Sequence, residues 1–133
     1  MIDTGPLVAT LNINDAHHAW TVAQLKELRG PMLTCEAVLS EAFFLLKTVQ
    51  GGSEGLWRML DKGGVKIDFA LSTQMPTVSQ FMHKYADVPM SLADACLVRM
   101  SELRPEHKVL TLDHHFTIYR RHRNRRIPVI VPF

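Results

Sequence analysis

Four carboxylate side chains of this chain stand where a lone charge is costly. Asp94 and Glu41 lie in segments that are otherwise apolar, and Asp3 and Asp113 each follow a short apolar run. A buried carboxylate is normally hydrogen-bonded, protonated or bound to a metal ion. These four acids are therefore the first candidates for chemistry in the sequence.

Two of the acids also have a purely local explanation. Ser91 precedes Asp94 by three residues, which fits a helix N-cap pair in which Asp replaces the usual Glu. A negative charge in the first turn of a helix is favourable as well. Glu41 can simply face water from its helix. These explanations stay open at this point, and only the common setting of all four acids favours a shared site.

A shared site would have the chemistry of a hard metal ion. The carboxyl ends of parallel strands meet at one sheet edge, so Asp3 and Asp113 should converge there, and the helical acids can reach the same edge. Four close carboxylates repel one another unless a cation lies among them. All the donors are oxygens and no Cys/His set has zinc spacing, which favours Mg²⁺ or Mn²⁺. Such a site can hydrolyse a phosphodiester with metal-activated water.

Strands and helices alternate along the chain and would position these acids. Apolar periodicity, caps and Gly or Pro stops predict helices at residues 14–30, 35–49, 53–63, 73–85 and 91–103. They predict strands ending at residues 3 and 113, and strands at 65–70 and 127–131. The Gly-Pro pair at 5–6 predicts a turn, a further helix should begin at 114, and no hairpin turn is recognisable. We therefore expect a parallel sheet covered by helices in a single domain, residues 1–133.

Composition and charge narrow the function classes. The apolar fraction of 47% can fill one core, and the net charge of +2 predicts no strong field over the whole molecule. Cys35 and Cys96 lie far apart in apolar segments and read as reduced core thiols. No basic leader or long apolar run is present, so we expect a soluble, cytoplasmic protein with no membrane partner. The first strand is unusually short, which suggests that its natural start precedes Met1.

An arginine-rich run near the C-terminus is the one candidate basic patch. Arginine makes bidentate, charge-assisted contacts to phosphate oxygens, so Arg120, Arg121 and Arg123 are predicted to bind nucleic acid. The alternative is a solvated terminal helix and loop. No aromatic residues interleave with these arginines in the pattern of a base-stacking platform, so base specificity is not predicted.

Four segments together give the chain a resemblance to the PIN-domain family, and within it to VapC-type toxin ribonucleases and their relatives. The resemblance covers essentially the whole chain, and the order and spacing of the segments make it more specific than any one of them. The segments are residues 1–7 (MIDTGPL), 40–42 (SEA), 85–95 (YADVPMSLADA) and 111–116 (TLDHHF).

The resemblance implies a fold, an activity and a set of site residues. The fold would be three-layer α/β/α around a central, mainly parallel sheet of four to five strands, and the activity a Mg²⁺- or Mn²⁺-dependent endoribonuclease. Thr4 and Thr111 match hydroxyl residues that orient a ligand, a carboxylate or water. RNA would be the substrate, and a toxin-like protein would also have an antitoxin partner and form a homodimer. The catalytic and metal-binding set would be Asp3, Glu41, Asp94 and Asp113.

Several other residues and two other functions are compatible with the sequence. Asp87 is a secondary metal candidate, and His114 and His115 can contact phosphate or begin a helix. The adjacent pair His17 and His18 cannot grip one ion from one helix face. A catalytically inactive PIN-like protein that binds nucleic acid or docks a partner is the main alternative. A phospho-receiver domain is remote, because the adjacent acidic pair after its first strand is absent.

Overall fold

The computed structural model describes residues 1–133 and shows a mixed α/β chain. Its strands are very short: β1 (Met32–Thr34), β2 (Val65–Ile67), β3 (Val109–Leu110), β4 (Arg120–Arg121), β5 (Arg125–Arg126) and β6 (Val129–Ile130). Two 3₁₀ turns cover Leu46–Thr48 and His114–Thr117. The helices are α1 (Thr4–Leu11), α2 (His18–Glu27), α3 (Glu36–Leu45), α4 (Gly52–Asp61), α5 (Leu71–Lys84) and α6 (Leu92–Leu103).

The strands pair two by two. β1 pairs with β2 and β3 with β6, both in parallel, whereas β4 and β5 form an antiparallel pair. Ile2 lies between the two parallel pairs: its N–H donates to Leu33, and it forms a parallel bridge with Leu110. The expected parallel pairing is therefore present, but in two-stranded units joined by the first residues of the chain.

Two local expectations were wrong. Gly5 and Pro6 do not form a turn, because α1 begins at Thr4 with Asp3 as its N-cap. Proline is tolerated in a first helical turn, where its missing N–H has no partner to lose. The segment after Asp113 is a 3₁₀ turn and not the start of an α-helix.

The arginine-rich run is also not a terminal helix and loop. It forms the β4–β5 hairpin, with a three-residue connection at 122–124. The connection has no glycine, and left-handed backbone is adopted by His122 (φ 45°) and Arg123 (φ 74°) instead. Because Asn-Gly and Asp-Gly pairs are the usual hairpin signal, no residue pair of this segment predicts the hairpin.

One cluster of 24 buried apolar residues forms the core. Ile2, Leu97 and Phe116 are completely buried in it, so the N-terminal segment, α6 and the second 3₁₀ turn share one interior. Burial of a large apolar side chain contributes about 1.5–3 kcal/mol. The segments that carry Asp3, Asp94 and Asp113 are therefore fixed by packing next to those acids. Cys35 and Cys96 are both buried, as expected.

α6 confirms the predicted buried helix with a serine cap. The Ser91 side chain accepts a hydrogen bond of 3.0 Å from the Asp94 backbone N–H. Ala95, Cys96, Leu97 and Val98 are buried behind it. Among all the helices, none combines the length and the apolar character that crossing a membrane requires.

Candidate functional site

An open cleft with a volume of about 520 Å³ brings the four predicted acids together. They arrive from the N-cap of α1, from α3, from the first turn of α6 and from the N-cap of the second 3₁₀ turn. No Lys or Arg lines this acidic cleft. Its lining residues are Asp3, Thr4, Gly5, Glu41, Pro89, Ser91, Asp94, Leu112, Asp113, His114 and His115.

Asp3 is the most buried of the four acids, with 6% of its surface exposed. Its Oδ1 accepts from the Thr4 N–H at 2.7 Å, and its Oδ2 accepts from the Thr111 hydroxyl at 2.7 Å. Burial raises the pKa of Asp3 to about 7, the two hydrogen bonds oppose this rise, and the charges of Asp94 and Asp113 add to it. Asp3 is therefore a carboxyl group whose charge the folded protein resists near neutral pH.

Thr111 connects the two acids that were predicted to end strands. Its hydroxyl donates to Asp3 and accepts from the Asp113 backbone N–H at 3.0 Å. Thr4 connects the other side of the cleft, because its hydroxyl donates to Glu41 Oε2 at 3.0 Å. Both threonines are buried. Each threonine hydroxyl therefore donates to a carboxylate oxygen of the cleft.

Glu41 lies at the rim of the cleft. Its residue is exposed, whereas Asp94 and Asp113 are partly buried. Glu41 therefore faces water, as its local explanation expected. The same side chain also lines the cleft. Glu41 is exposed, but one of its carboxylate oxygens is held by the Thr4 hydroxyl.

Asp94 has a partner that the sequence analysis missed. The Tyr119 hydroxyl donates to Asp94 Oδ2 at 2.8 Å, from a side chain that is completely buried. Burial raises the pKa of Asp94, the Tyr119 hydrogen bond opposes the rise, and the charge of Asp113 adds to it. Burial and the Asp94 carboxylate also raise the pKa of Tyr119 far above its ordinary value. Tyr119 consequently stays protonated and acts as a fixed donor.

Asp113 and His115 lie next to each other in the wall of the cleft. Asp113 Oδ1 accepts from the His115 backbone N–H at 2.9 Å and lies 3.1 Å from His115 Nδ1. His114 is exposed and its ring lies 4.6 Å from that of His115. The two histidines thus sit at the mouth of the cleft beside an acid. Protonated, they would place positive charge there.

The donor chemistry of the cleft suits Mg²⁺ or Mn²⁺. All four acids offer oxygen, and no bound cationic side chain competes for them. No three Asp, Glu, His or Cys side chains are arranged as a ready metal site, however. Holding one ion would require side-chain rotation, and for Glu41 this would break the hydrogen bond from the Thr4 hydroxyl. The metal ligands therefore remain a prediction.

The other candidates lie apart from the cleft or are engaged elsewhere. Asp87 is exposed and does not line the cleft. His18 Nδ1 lies 2.7 Å from the Ala9 carbonyl and ties α2 to α1, in keeping with a structural role.

The three arginines predicted to bind nucleic acid differ in availability. Arg120 Nη1 donates to the carbonyls of Thr117, Ile118 and Tyr119. Arg121 donates to two carbonyls, at Ser101 and Pro105. Arg123 is exposed. Arg120 and Arg121 therefore hold the backbone, whereas the side chain of Arg123 makes no such hydrogen bond.

No protein-family model and no curated protein matches this chain.

Proposed function

We propose that this protein is a Mg²⁺- or Mn²⁺-dependent endoribonuclease of the PIN-domain type. The observation that carries the proposal is the meeting of Asp3, Glu41, Asp94 and Asp113 in one cleft without a lysine or arginine. These acids come from four separate parts of the chain. One of them, Asp3, is almost wholly buried, with 6% of its surface exposed.

The fold offers further support. The two parallel pairs and the bridging Ile2 supply five short segments in the order β2, β1, Ile2, β3, β6. We propose that these act as one parallel sheet, the central layer of a three-layer α/β/α fold in a single domain. Asp3 follows the middle segment directly, as expected of a ligand at the carboxyl edge of such a sheet.

Each residue of the cleft would have a definite task. Asp3, Glu41, Asp94 and Asp113 would hold the ion, which when bound would neutralise phosphate charge and acidify an attacking water. Thr4 and Thr111 fix carboxylate oxygens through their hydroxyl groups. Tyr119 fixes one oxygen of Asp94 through its hydroxyl group. His115, once protonated, would contact a phosphate oxygen at the mouth of the cleft.

A second candidate is a PIN-like protein that binds nucleic acid or a partner without turnover. It is favoured by the lack of three ligands in a ready metal arrangement. It predicts RNA binding without Mn²⁺ binding, which isothermal titration would reveal. Under the first proposal both are bound.

A toxin-like role would add protein partners. The outer part of α3 next to Glu41 carries two exposed apolar side chains, Phe44 (66% exposed) and Leu45 (51% exposed). Such a surface suits contact with another protein more than contact with water. We include an antitoxin and a homodimer in the proposal on this basis.

The test is metal-dependent cleavage of a defined RNA by the purified chain and by Asp94→Asn. Wild type should cleave with Mg²⁺ or Mn²⁺ and stop in EDTA. The variant should lose at least 100-fold in rate, which corresponds to about 3 kcal/mol of transition-state stabilisation. Cleavage by Asp94→Asn at the wild-type rate would reject the proposal, provided that circular dichroism shows both proteins folded.

A further inference from the structure

The Tyr119 hydroxyl that holds Asp94 is itself fixed by residues outside the cleft. Asp94 Oδ2 accepts from this hydroxyl at 2.8 Å, and the Tyr119 side chain is completely buried. The aromatic ring of a tyrosine is rigid, so the position of its oxygen depends on the backbone of that residue and on the packing of the ring. The groups that fix this backbone and this ring therefore determine where Asp94 is held.

The Arg120 guanidinium fixes the backbone at residue 119. Its Nη1 donates to the carbonyl oxygens of Thr117, Ile118 and Tyr119 at 2.7, 2.9 and 3.0 Å. Carbonyls at the end of a helical turn have no partner within the turn, and a cationic side chain often satisfies them. Hydrogen bonds from a charged donor are also stronger than those between neutral groups. Arg120 therefore closes the 3₁₀ turn at the point where the chain reaches Tyr119.

Tyr85, the C-cap residue of α5, makes two contacts with the same segment. Its hydroxyl accepts from the Arg120 backbone N–H at 2.8 Å, and its ring lies edge-on to that of Tyr119, with the centroids 5.1 Å apart. The Phe116 ring meets Tyr119 edge-on as well, at 5.3 Å. Such pairs contribute about 0.5–1.5 kcal/mol beyond the area that they bury. Tyr85 and Phe116 therefore fix the ring, and Arg120 fixes the backbone that carries it.

Arg120 makes its contacts at a cost in hairpin stability. It pairs with Arg126 across the β4–β5 hairpin, and like charges directly opposite each other destabilise a strand pair. A neutral side chain at position 120 would avoid this repulsion, but it would lack the charged donor that closes the turn. Local conflicts of this kind are expected at residues that serve a functional site. The conflict is therefore in keeping with a role of Arg120 at the cleft.

We propose that Arg120 and Tyr85 are positioning residues of the acidic cleft, which hold Asp94 in place through the Tyr119 hydroxyl. We call these two residues the Tyr119 clamp. This inference rests on the proposed ribonuclease function and adds residues that act on the site from outside it, because neither of them lines the cleft. A displacement of about 1 Å in an active site can cost roughly 100-fold in rate, so loosening one carboxylate oxygen has a measurable effect.

The test compares single variants with the same variants in a Tyr119→Phe background. Arg120→Ala removes the three carbonyl contacts. Tyr85→Phe removes only the acceptor of the Arg120 N–H and keeps the ring, so it carries the test if Arg120→Ala does not fold. The control is Arg126→Ala, which removes the same like-charge pair but none of the contacts of the Tyr119 clamp. The readouts are kcat and KM on a defined RNA, Mn²⁺ binding by isothermal titration, and the NMR signal of the Tyr119 hydroxyl proton in metal-free protein.

We expect Arg120→Ala and Tyr85→Phe each to lower kcat about five- to tenfold, with the KM for RNA unchanged, and to weaken Mn²⁺ binding by a similar factor. Because both act through Tyr119, neither should lower kcat by more than about twofold further in the Tyr119→Phe background. Arg120→Lys keeps a cationic donor and should recover most of kcat. The hydroxyl signal should weaken in the two clamp variants, whereas Arg126→Ala should behave as wild type in every readout.

Three outcomes would overturn the inference. Equal fold losses in the wild-type and Tyr119→Phe backgrounds would show that the two residues act on the cleft by another route. A raised KM with normal kcat in Arg120→Ala would make Arg120 an RNA contact. An unchanged hydroxyl signal in both clamp variants would mean that neither residue holds Tyr119. Failure of the proposed function is distinguishable, because wild type would then neither bind Mn²⁺ nor cleave RNA, while the hydroxyl signal would still report on the clamp.

Discussion

Replacement of Asp3 by Asn removes the one acid of the cleft that is almost wholly buried. The pKa of Asp3 is raised from 3.8 to about 7, chiefly by burial. At a pH between these two pKa values, Asp3 is protonated in the folded protein and ionised in the unfolded chain. The free energy of unfolding of metal-free wild type should therefore fall as the pH rises through this window.

The size of the effect follows from the width of the window. From pH 5 to pH 7 the folded state holds about one extra proton, and one pKa unit corresponds to 1.36 kcal/mol, so Asp3 should account for about 2–3 kcal/mol of lost stability. The Asp3→Asn variant has no carboxyl group to ionise at this position, so its free energy of unfolding should not decrease in this way. The substitution also weakens the hydrogen bond from Thr111, but that change does not depend on pH in this window. Comparison of the two pH profiles therefore isolates the buried charge.

Urea unfolding in EDTA at pH 5, 6, 7 and 8 measures the profiles. A matched control is Asp68→Asn, because Arg104 lowers the pKa of Asp68 and its titration lies below the window. The control profile should run parallel to wild type, and that of Asp3→Asn should be flatter by about 2–3 kcal/mol. Parallel profiles for all three proteins would refute the assignment of a raised pKa to Asp3.

Two further substitutions probe the side chains that hold Asp94. Tyr119→Phe removes the 2.8 Å hydrogen bond to Asp94, so we expect about 1–2 kcal/mol lower stability and about tenfold lower kcat, with the KM for RNA unchanged. A raised KM with normal kcat would contradict this positioning role. Ser91→Ala removes the cap of α6 and should lower the free energy of unfolding by about 1 kcal/mol in urea, whereas Ser91→Thr should keep most of it. Equal stability of the Ala and Thr variants would contradict the capping role.

The predictable parts of this molecule are those encoded within a few residues of one another. Ser91, Asp94 and the apolar run after them contain both the cap and the burial of α6. The convergence of Asp3 and Asp113 could also be expected, because each follows an apolar run and parallel strands end at a common edge. The features that could be predicted are apolar runs and a helix cap, which depend on residues close together in the sequence.

The unpredicted parts depend on contacts between distant residues. Tyr119 reaches Asp94 across 25 positions of sequence, and nothing near it indicates a carboxylate partner. The β4–β5 hairpin lacks the glycine that usually marks such a turn. Its connection is held instead by hydrogen bonds to Glu102 and from Lys84, which lie on other elements. Arg120, Arg121 and Arg123 are all arginines, so the sequence does not distinguish them. Only the structure shows that Arg120 and Arg121 donate to backbone carbonyls whereas Arg123 is exposed. Strands of only two or three residues likewise leave little pattern in the sequence.

The four carboxylates of the cleft are proposed to hold one divalent cation. The most direct measurement is anomalous diffraction from crystals grown with millimolar Mn²⁺. We expect a peak in the acidic cleft within coordination distance of Asp94 and at least two of Asp3, Glu41 and Asp113, absent from crystals of Asp94→Asn. Crystals of the folded wild type with no peak in the cleft, or with Mn²⁺ only at other surface acids, would contradict the claim.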